Sequence, residues 1–309
     1  MRFKLFCATA VSALVISLAT QAHAVVIESG DGRGNTDESS VRGYASDFNH
    51  WNNVGYRGGG GGIYLGNGWA ATANHVGMGD LDLNGNVYRA VGGSQVNITS
   101  DLILYRIDGA PNLPHVTIST AAPAYNAPVI MIGTGQDHHP ERTTWRVENG
   151  NWVQSDSGSY TGYYTHDSQT KRWGTNNVYR TNVNSGDMTF FSTRFDQNAS
   201  PFEAQGVGYD SGGSVFIKQN GQWVLAGLMH NVTNHPGQPG QNLSAVYGNQ
   251  TWMSDLSRYA GQINGLVGAP PISGSTGGSN PPGVPEPATL SLLGAGLAMM
   301  YWGRRKPLE

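Results

Sequence analysis

The sequence predicts an all-β protein, a barrel or sandwich with one late helix. Three observations carry this. Short runs rich in Val, Ile, Tyr and Trp recur through the middle of the chain, turn residues interrupt them about every 8–12 residues, and helical spacing occurs only near the end. The composition agrees: 44 of 309 residues are glycine and only 13% are charged.

Both ends read as processing segments. Met1-Arg2-Phe3-Lys4 is basic, Leu5 to Leu18 is apolar, and Ala22-His23-Ala24 fits a small-residue cleavage site, so residues 1–24 are expected to be a signal peptide cut before Val25. The only cysteine, Cys7, lies inside this leader. The exported protein therefore has no disulfide, and its stability must come from its core. The whole chain has 18 Lys and Arg against 21 Asp and Glu. Removing both end segments takes away five basic and two acidic residues, leaving a net charge of −6 with no basic run. That excludes the phosphate-neutralising footprint of a nucleic-acid binder.

Residues 25–57 are polar and without clear period, an N-terminal arm or propeptide with a short helical turn near Tyr44 to Trp51. Five glycines, Gly58 to Gly62, lead into strand Ile63–Leu65. Asn67-Gly68 marks a hairpin, Trp69 to Thr72 is the next strand, and His75 stands just beyond its end. Leu81 to Val91 reads as a hairpin around Asn84-Gly85-Asn86. Val96 to Ile98 and Leu102 to Ile107 are strands, with Ser100-Asp101 between them. Pro111 to Ala127 is an extended linker between two halves. Val129 to Ile132, the hairpin around Asn149-Gly150, Val178 to Val183 and Met188 to Phe195 follow, and Ser155 to Asn177 reads as surface loops. Asn220-Gly221 turns another hairpin. Trp252, Leu256, Tyr259 and Ile263 have helical spacing, so Thr251 to Ile263 is expected to be the terminal helix. The resulting division is 58–122 for a first β unit, 123–264 for a second with its helix, 265–283 for a Gly/Ser/Pro linker and 284–309 for a tail.

The chemistry centres on Gly208-Tyr209-Asp210-Ser211-Gly212-Gly213-Ser214. Glycines beside a serine let the backbone turn sharply, which exposes Oγ and aims amides inward. A serine needs a base, and the base needs an orienting group. Thr72-Ala73-Asn74-His75 and Ser100-Asp101-Leu102 supply candidates for both. The adjacent His138-His139 is read as a loop feature, since two neighbours rarely chelate a metal.

In chain order these three segments resemble the boxes of the chymotrypsin/trypsin-like serine proteases, with Asn74, Ile103, Tyr209 and Ser214 as departures. Ala226-Gly227-Leu228-Met229-His230 resembles the family's pocket strand, and Ala245-Val246-Tyr247 the segment before its terminal helix. The resemblance implies two packed six-stranded antiparallel β-barrels with the site in the crevice between them. It assigns Ser211 as nucleophile, His75 as base and Asp101 as orienting group. The amides of Tyr209 and Ser211 would form the oxyanion hole, and Gln205, His230 and Ala245 the specificity pocket. No metal or cofactor is required. Gln205, six residues before Ser211, gives no charge match for Arg or Lys. Tyr209 stands where the family has a glycine, which puts the hole in question. Asp210 would pair with an amine at Val25 if signal peptidase creates that terminus.

Val284-Pro285-Glu286-Pro287, the apolar run Ala288 to Gly303 and Arg304-Arg305-Lys306 resemble the PEP-CTERM sorting signal. This implies recognition by an exosortase and transient membrane contact through residues 288–303. The expectation is an exported, surface-sorted serine endopeptidase acting on polypeptides. The alternative is a protease-like domain of weak or no activity that binds polypeptide or extracellular matrix.

Overall fold

Asn-Gly pairs set much of the topology. Asn67-Gly68, Asn84-Gly85, Asn149-Gly150 and Asn220-Gly221 all take positive φ at both residues, the backbone of two-residue hairpin turns whose twist matches the flanking strands. They appear in a computed structural model that describes residues 25–28, 34–239 and 244–268. All of these lie in the first of two units, Met1–Pro271. The expected signal peptide and sorting tail lie outside the described residues.

The N-terminal part begins with β1 (Val26–Ile27) and α1 (Glu38–Tyr44). The Asp37 carboxylate caps α1 by accepting from Ser40 N–H at 2.8 Å. A seven-stranded sheet follows: β2 (Val54–Tyr56), β3 (Gly61–Gly66), β4 (Trp69–Ala73), β5 (Leu81–Leu83), β6 (Asn86–Tyr88), β7 (Val96–Thr99) and β8 (Leu102–Arg106). Its order is β6-β5-β2-β3-β4-β8-β7. An Ala90–Ile107 bridge joins the chain after β6 to the end of β8. Val91 N–H donates to Arg106 O and Asp108 N–H to Arg89 O, both at 2.8 Å, so β6, β5, β2, β3, β4 and β8 close into a ring.

The second half contains β9 (Pro128–Gly133), β10 (Gln136–His138), β11 (Thr143–Glu148), β12 (Asn151–Gln154), β13 (Tyr160–Gln169), β14 (Arg172–Ser185), β15 (Met188–Arg194), β16 (Ala204–Gln205), β17 (Ser214–Gln219), β18 (Gln222–Thr233), β19 (Ser244–Val246), β20 (Gln250–Ser254) and α2 (Ala260–Val267). Six of these strands, β14-β15-β20-β18-β17-β9, form a closed barrel. Strands β10 to β13, with β19, make a separate sheet beside it. The all-β class and barrel architecture are as the sequence predicts.

Three differences have physical causes. The arm before residue 58 is not all irregular: Val54–Tyr56 pairs with β3, and Phe48 and Trp51 are buried. The span 155–177 is mostly strand, because Tyr160 to Gln169 pairs with β10, β11 and β19 and supplies aromatic side chains to that sheet. The expected helix from Thr251 starts later: residues up to Ser254 belong to β20, and α2 begins at Ala260. Trp252 fits a strand as well as a helix, and pairing with β15 and β18 decides it.

Alternation explains how the two halves pack. Along β8, Ile103 and Tyr105 face the N-terminal ring while Leu102 and Leu104 face a cluster shared with the other half. Along β9, Val129 and Met131 fill the closed barrel while Ile130 and Ile132 join that shared cluster. Strands buried on both faces read as continuous apolar runs. Lys171 adds a polar tie: its Nζ donates to Trp51 O at 3.1 Å, Val54 O at 3.0 Å and Asn84 Oδ1 at 2.5 Å.

Candidate active site

Strand register brings His75 to Asp101. In the β4–β8 pair, Ala73 lies opposite Leu102, so the residues just outside the pairing, 74–75 and 101, must be neighbours. Asn74 N–H donates to Asp101 O at 3.1 Å, and Asn74 Nδ2 donates to Ser100 O at 3.0 Å. His75 N–H donates to Asp101 Oδ1 at 2.8 Å, and His75 Nδ1 lies 2.9 and 2.8 Å from the two carboxylate oxygens. The His75 side chain is 46% exposed and that of Asp101 30%. Asp187, on the β14–β15 turn, anchors the Asp101 loop by accepting from Ser100 N–H at 2.7 Å and Ser100 Oγ at 2.6 Å.

Asp101 also meets a second imidazole. His230 Nδ1 lies 3.0 Å from Asp101 Oδ2. Partial burial works to raise the carboxyl's pKa, but the hydrogen bonds from His230 and His75 outweigh it and hold Asp101 well below the usual carboxylate range. His230 reaches Asp101 because the β18–β20 register slips between Met229 and Asn231, and such an irregularity re-aims a side chain. Its side chain is 3% exposed.

Ser211 sits on a turn shaped by the other half. Gly61 N–H donates to Ser211 O at 2.7 Å, and Gly212 N–H donates to Met229 O at 2.8 Å. Gly212 has φ +80°, and a Cβ there would collide with Gly61 O and Thr72 Oγ1, so glycine is required twice over. The Ser211 hydroxyl donates to His230 O at 3.4 Å. Among the described residues no hydrogen bond joins it to His75.

Tyr209 takes φ +67° and is 45% exposed. The glycine-type backbone is adopted despite the Cβ, at a cost of about 1–2 kcal/mol. Among the described residues, the amides of Tyr209 and Ser211 donate to no acceptor. Asp210 is fully buried and accepts from Gly135 N–H and Val207 N–H, both at 2.8 Å, and from the backbone of Val25 and Thr134. Burial pushes its pKa up to about 7 against those donors.

A cavity of about 280 Å³ opens beside the serine, lined by Gly206, Tyr209, Ser211, His230, Val232 and Thr251 among others. Of the residues read as pocket from the sequence, His230 lines it. Gln205 lies buried in β16, donating to Asn249 Oδ1 at 3.3 Å, and Ala245 pairs with Tyr163 in the side sheet; neither is among the lining residues. Thr251 went unnoticed in the sequence. Its Oγ1 accepts from Gly206 N–H at 2.9 Å, and a Cβ on Gly206 would lie 2.9 Å from its methyl. Only the β18–β20 pairing could have pointed to it. His138 is buried in β10, with Nδ1 2.6 Å from His139 O.

In comparisons with known proteins, residues 283–306 match the family model described as the PEP-CTERM protein-sorting motif. No curated protein matches the chain in sequence. Similar solved structures include the inactive form of a mutant of Rv3671c from M. tuberculosis H37Rv, at 13% identity and TM-score 0.40, covering 81% of this chain and 100% of that one. Mouse neuropsin, a serine protease, is 17% identical with TM-score 0.41, covering 67% and 88%. Kallikrein-related peptidase 10 is 12% identical with TM-score 0.42, covering 71% and 96%. The sorting motif read from Val284 to Lys306 is thus a feature of the chain's C-terminal segment.

Proposed function

We propose that the chain is an exported serine endopeptidase. The observation that carries this is the constellation itself: His75 held on Asp101, and Ser211 at the rim of a cavity beside two amides that have no acceptor among the described residues. In this reading Ser211 Oγ rotates from its weak bond with His230 O toward His75 Nε2, which takes its proton as Oγ attacks a peptide carbonyl. The same proton goes to the leaving amine. The amides of Tyr209 and Ser211 receive the oxyanion, each typically worth about 3–4 kcal/mol in the transition state.

Val25 is buried, with its backbone on the Asp210 carboxylate. Cleavage after Ala24 would convert that amide into an ammonium beside a buried acid. Removal of the leader then completes the site. The PEP-CTERM motif supports exosortase recognition of the tail and delivery to the cell envelope or surface.

A second reading is a polypeptide-binding domain without turnover. It is favoured by one observation, the Ser211 hydroxyl resting on His230 O rather than on His75. Casein hydrolysis by the purified exported protein, with Ser211→Ala as control, separates the two. Labelling of Ser211 by a fluorophosphonate with casein turnover supports the protease. Equal inertness of both proteins supports the binder.

A further inference from the structure

We propose that His75, Asp101 and His230 form a binding site for a divalent transition metal, with Zn²⁺ as the test ion, and that filling it switches Ser211 off. The binding stands on geometry alone, while the switching rests on the protease reading above.

Each of the three residues offers one ligand atom, and these atoms all lie within 4.8 Å of one another. Both imidazole Nδ1 atoms converge on one oxygen, Asp101 Oδ2, at 2.8 Å from His75 and 3.0 Å from His230. A histidine–aspartate pair alone supplies only two ligands. His230 makes the set a chelate, and it is the preorganised member: buried, aimed by the irregularity in β18, and set edge-on against Phe190 at 5.9 Å. His75 and Asp101 are part-exposed, so an ion can enter from solvent. Two imidazoles and a carboxylate suit Zn²⁺, Cu²⁺ or Ni²⁺, whereas Ca²⁺ and Mg²⁺ prefer oxygen ligands throughout.

Zinc bonds of about 2.0–2.1 Å place tetrahedral ligands about 3.3 Å apart. The two nitrogen–oxygen spacings must therefore open by about 0.3–0.5 Å, and the two nitrogens, which lie within 4.8 Å, must settle at the same separation; the half-exposed His75 ring and the part-exposed Asp101 carboxylate supply these shifts. A water on the solvent side completes four-coordination.

The proton balance is closed. Each imidazole exchanges its Nδ1–H for an Nδ1–metal bond and carries that proton on Nε2 instead, so none is gained or lost. For His75 the consequence is decisive, because an Nε2 that bears hydrogen cannot accept the Ser211 proton. On His230, Nε2 is buried and has no partner among the described residues. A proton placed there lacks an acceptor, which moderates affinity and keeps the metal exchangeable.

The test is calorimetric titration of Zn²⁺ into the exported Ser211→Ala protein, which needs no catalysis. One ion per chain is expected, with a dissociation constant in the micromolar range. Adding His230→Ser should weaken it at least tenfold, while adding His166→Gln, in the separate histidine group on β10 and β13, should leave it unchanged. Melting curves establish that each variant folds, and His230→Gln serves if His230→Ser does not. In the serine-bearing protein, zinc should suppress casein hydrolysis and EDTA restore it. His230→Ser should retain most of its own metal-free rate at that zinc concentration. An unchanged titration in His230→Ser, a loss in His166→Gln, or no binding would overturn the site. Failure of EDTA-treated protein to cleave casein would count against the protease reading, and the titration would still decide the metal site.

Discussion

His230 and His75 share one oxygen: their Nδ1 atoms lie 3.0 and 2.8 Å from Asp101 Oδ2. The carboxylate also accepts His75 N–H at 2.8 Å. It therefore fixes the ring and the backbone of His75 together, while a second ring fixes the carboxylate.

Replacing that carboxylate should cost orientation rather than fold. Asp101→Asn presents an amide N–H where an acceptor is needed, forcing the wrong His75 tautomer. Casein hydrolysis is expected to fall by about 10³–10⁴-fold, with little change in melting temperature. A loss under tenfold would remove Asp101 from the mechanism.

Tyr209 makes a sharper test of the oxyanion hole. Tyr209→Gly adopts φ +67° without strain and should keep at least the wild-type kcat. Tyr209→Pro has neither the N–H nor access to positive φ, so kcat should drop at least 10²-fold. Similar kcat in both variants would mean that this amide does not contact the reacting carbonyl.

The Val25 amine is tested by its acceptor. N-terminal sequencing of active protein should begin at Val25. Asp210→Asn should remain folded but hydrolyse casein at least 10-fold more slowly, since a neutral amide cannot pair with an ammonium. Active protein beginning at a residue well beyond Val25 would replace this account with one of propeptide removal.

A buried acid should leave a pH signature. Burial is the main cause that raises Glu203 to about 8, from an ordinary value near 4.5. Between those values the folded chain keeps a proton that the unfolded chain has released, so stability falls as pH rises through this window. Melts at pH 5 and pH 8 should show the decline, and Glu203→Gln should make it shallower, with Asp210, raised to about 7 by burial, supplying the remainder. A variant with the full wild-type slope would assign the dependence to another group.

Features encoded locally were legible. The Asn-Gly turns need only two residues to specify positive φ, and the His75 and Asp101 segments declare themselves by motif beside a strand. Features arising from pairing between distant strands were not. The segment ending in His230 marks a pocket residue, but its bond to Asp101 arises through a register slip in β18, and Thr251 lines the cavity because β20 joins β18; neither relationship has a local sequence signature. Tyr160 to Gln169 reads as loop because its polar residues mask the alternation, while pairing with three other strands along its two edges makes it a strand.

The bond from Gly61 N–H to Ser211 O, with Gly212 pressed against Gly61, has a consequence for synthesis. The serine turn is encoded in one half of the chain but moulded by the other. A nascent chain that has released only its first hundred or so residues carries His75 and Asp101 but not Ser211. A severed C-terminal piece carries Ser211 but lacks the edge that braces it. In the protease reading, hydrolytic competence therefore belongs to the finished chain, and complementary fragments should acquire it only on reassociation.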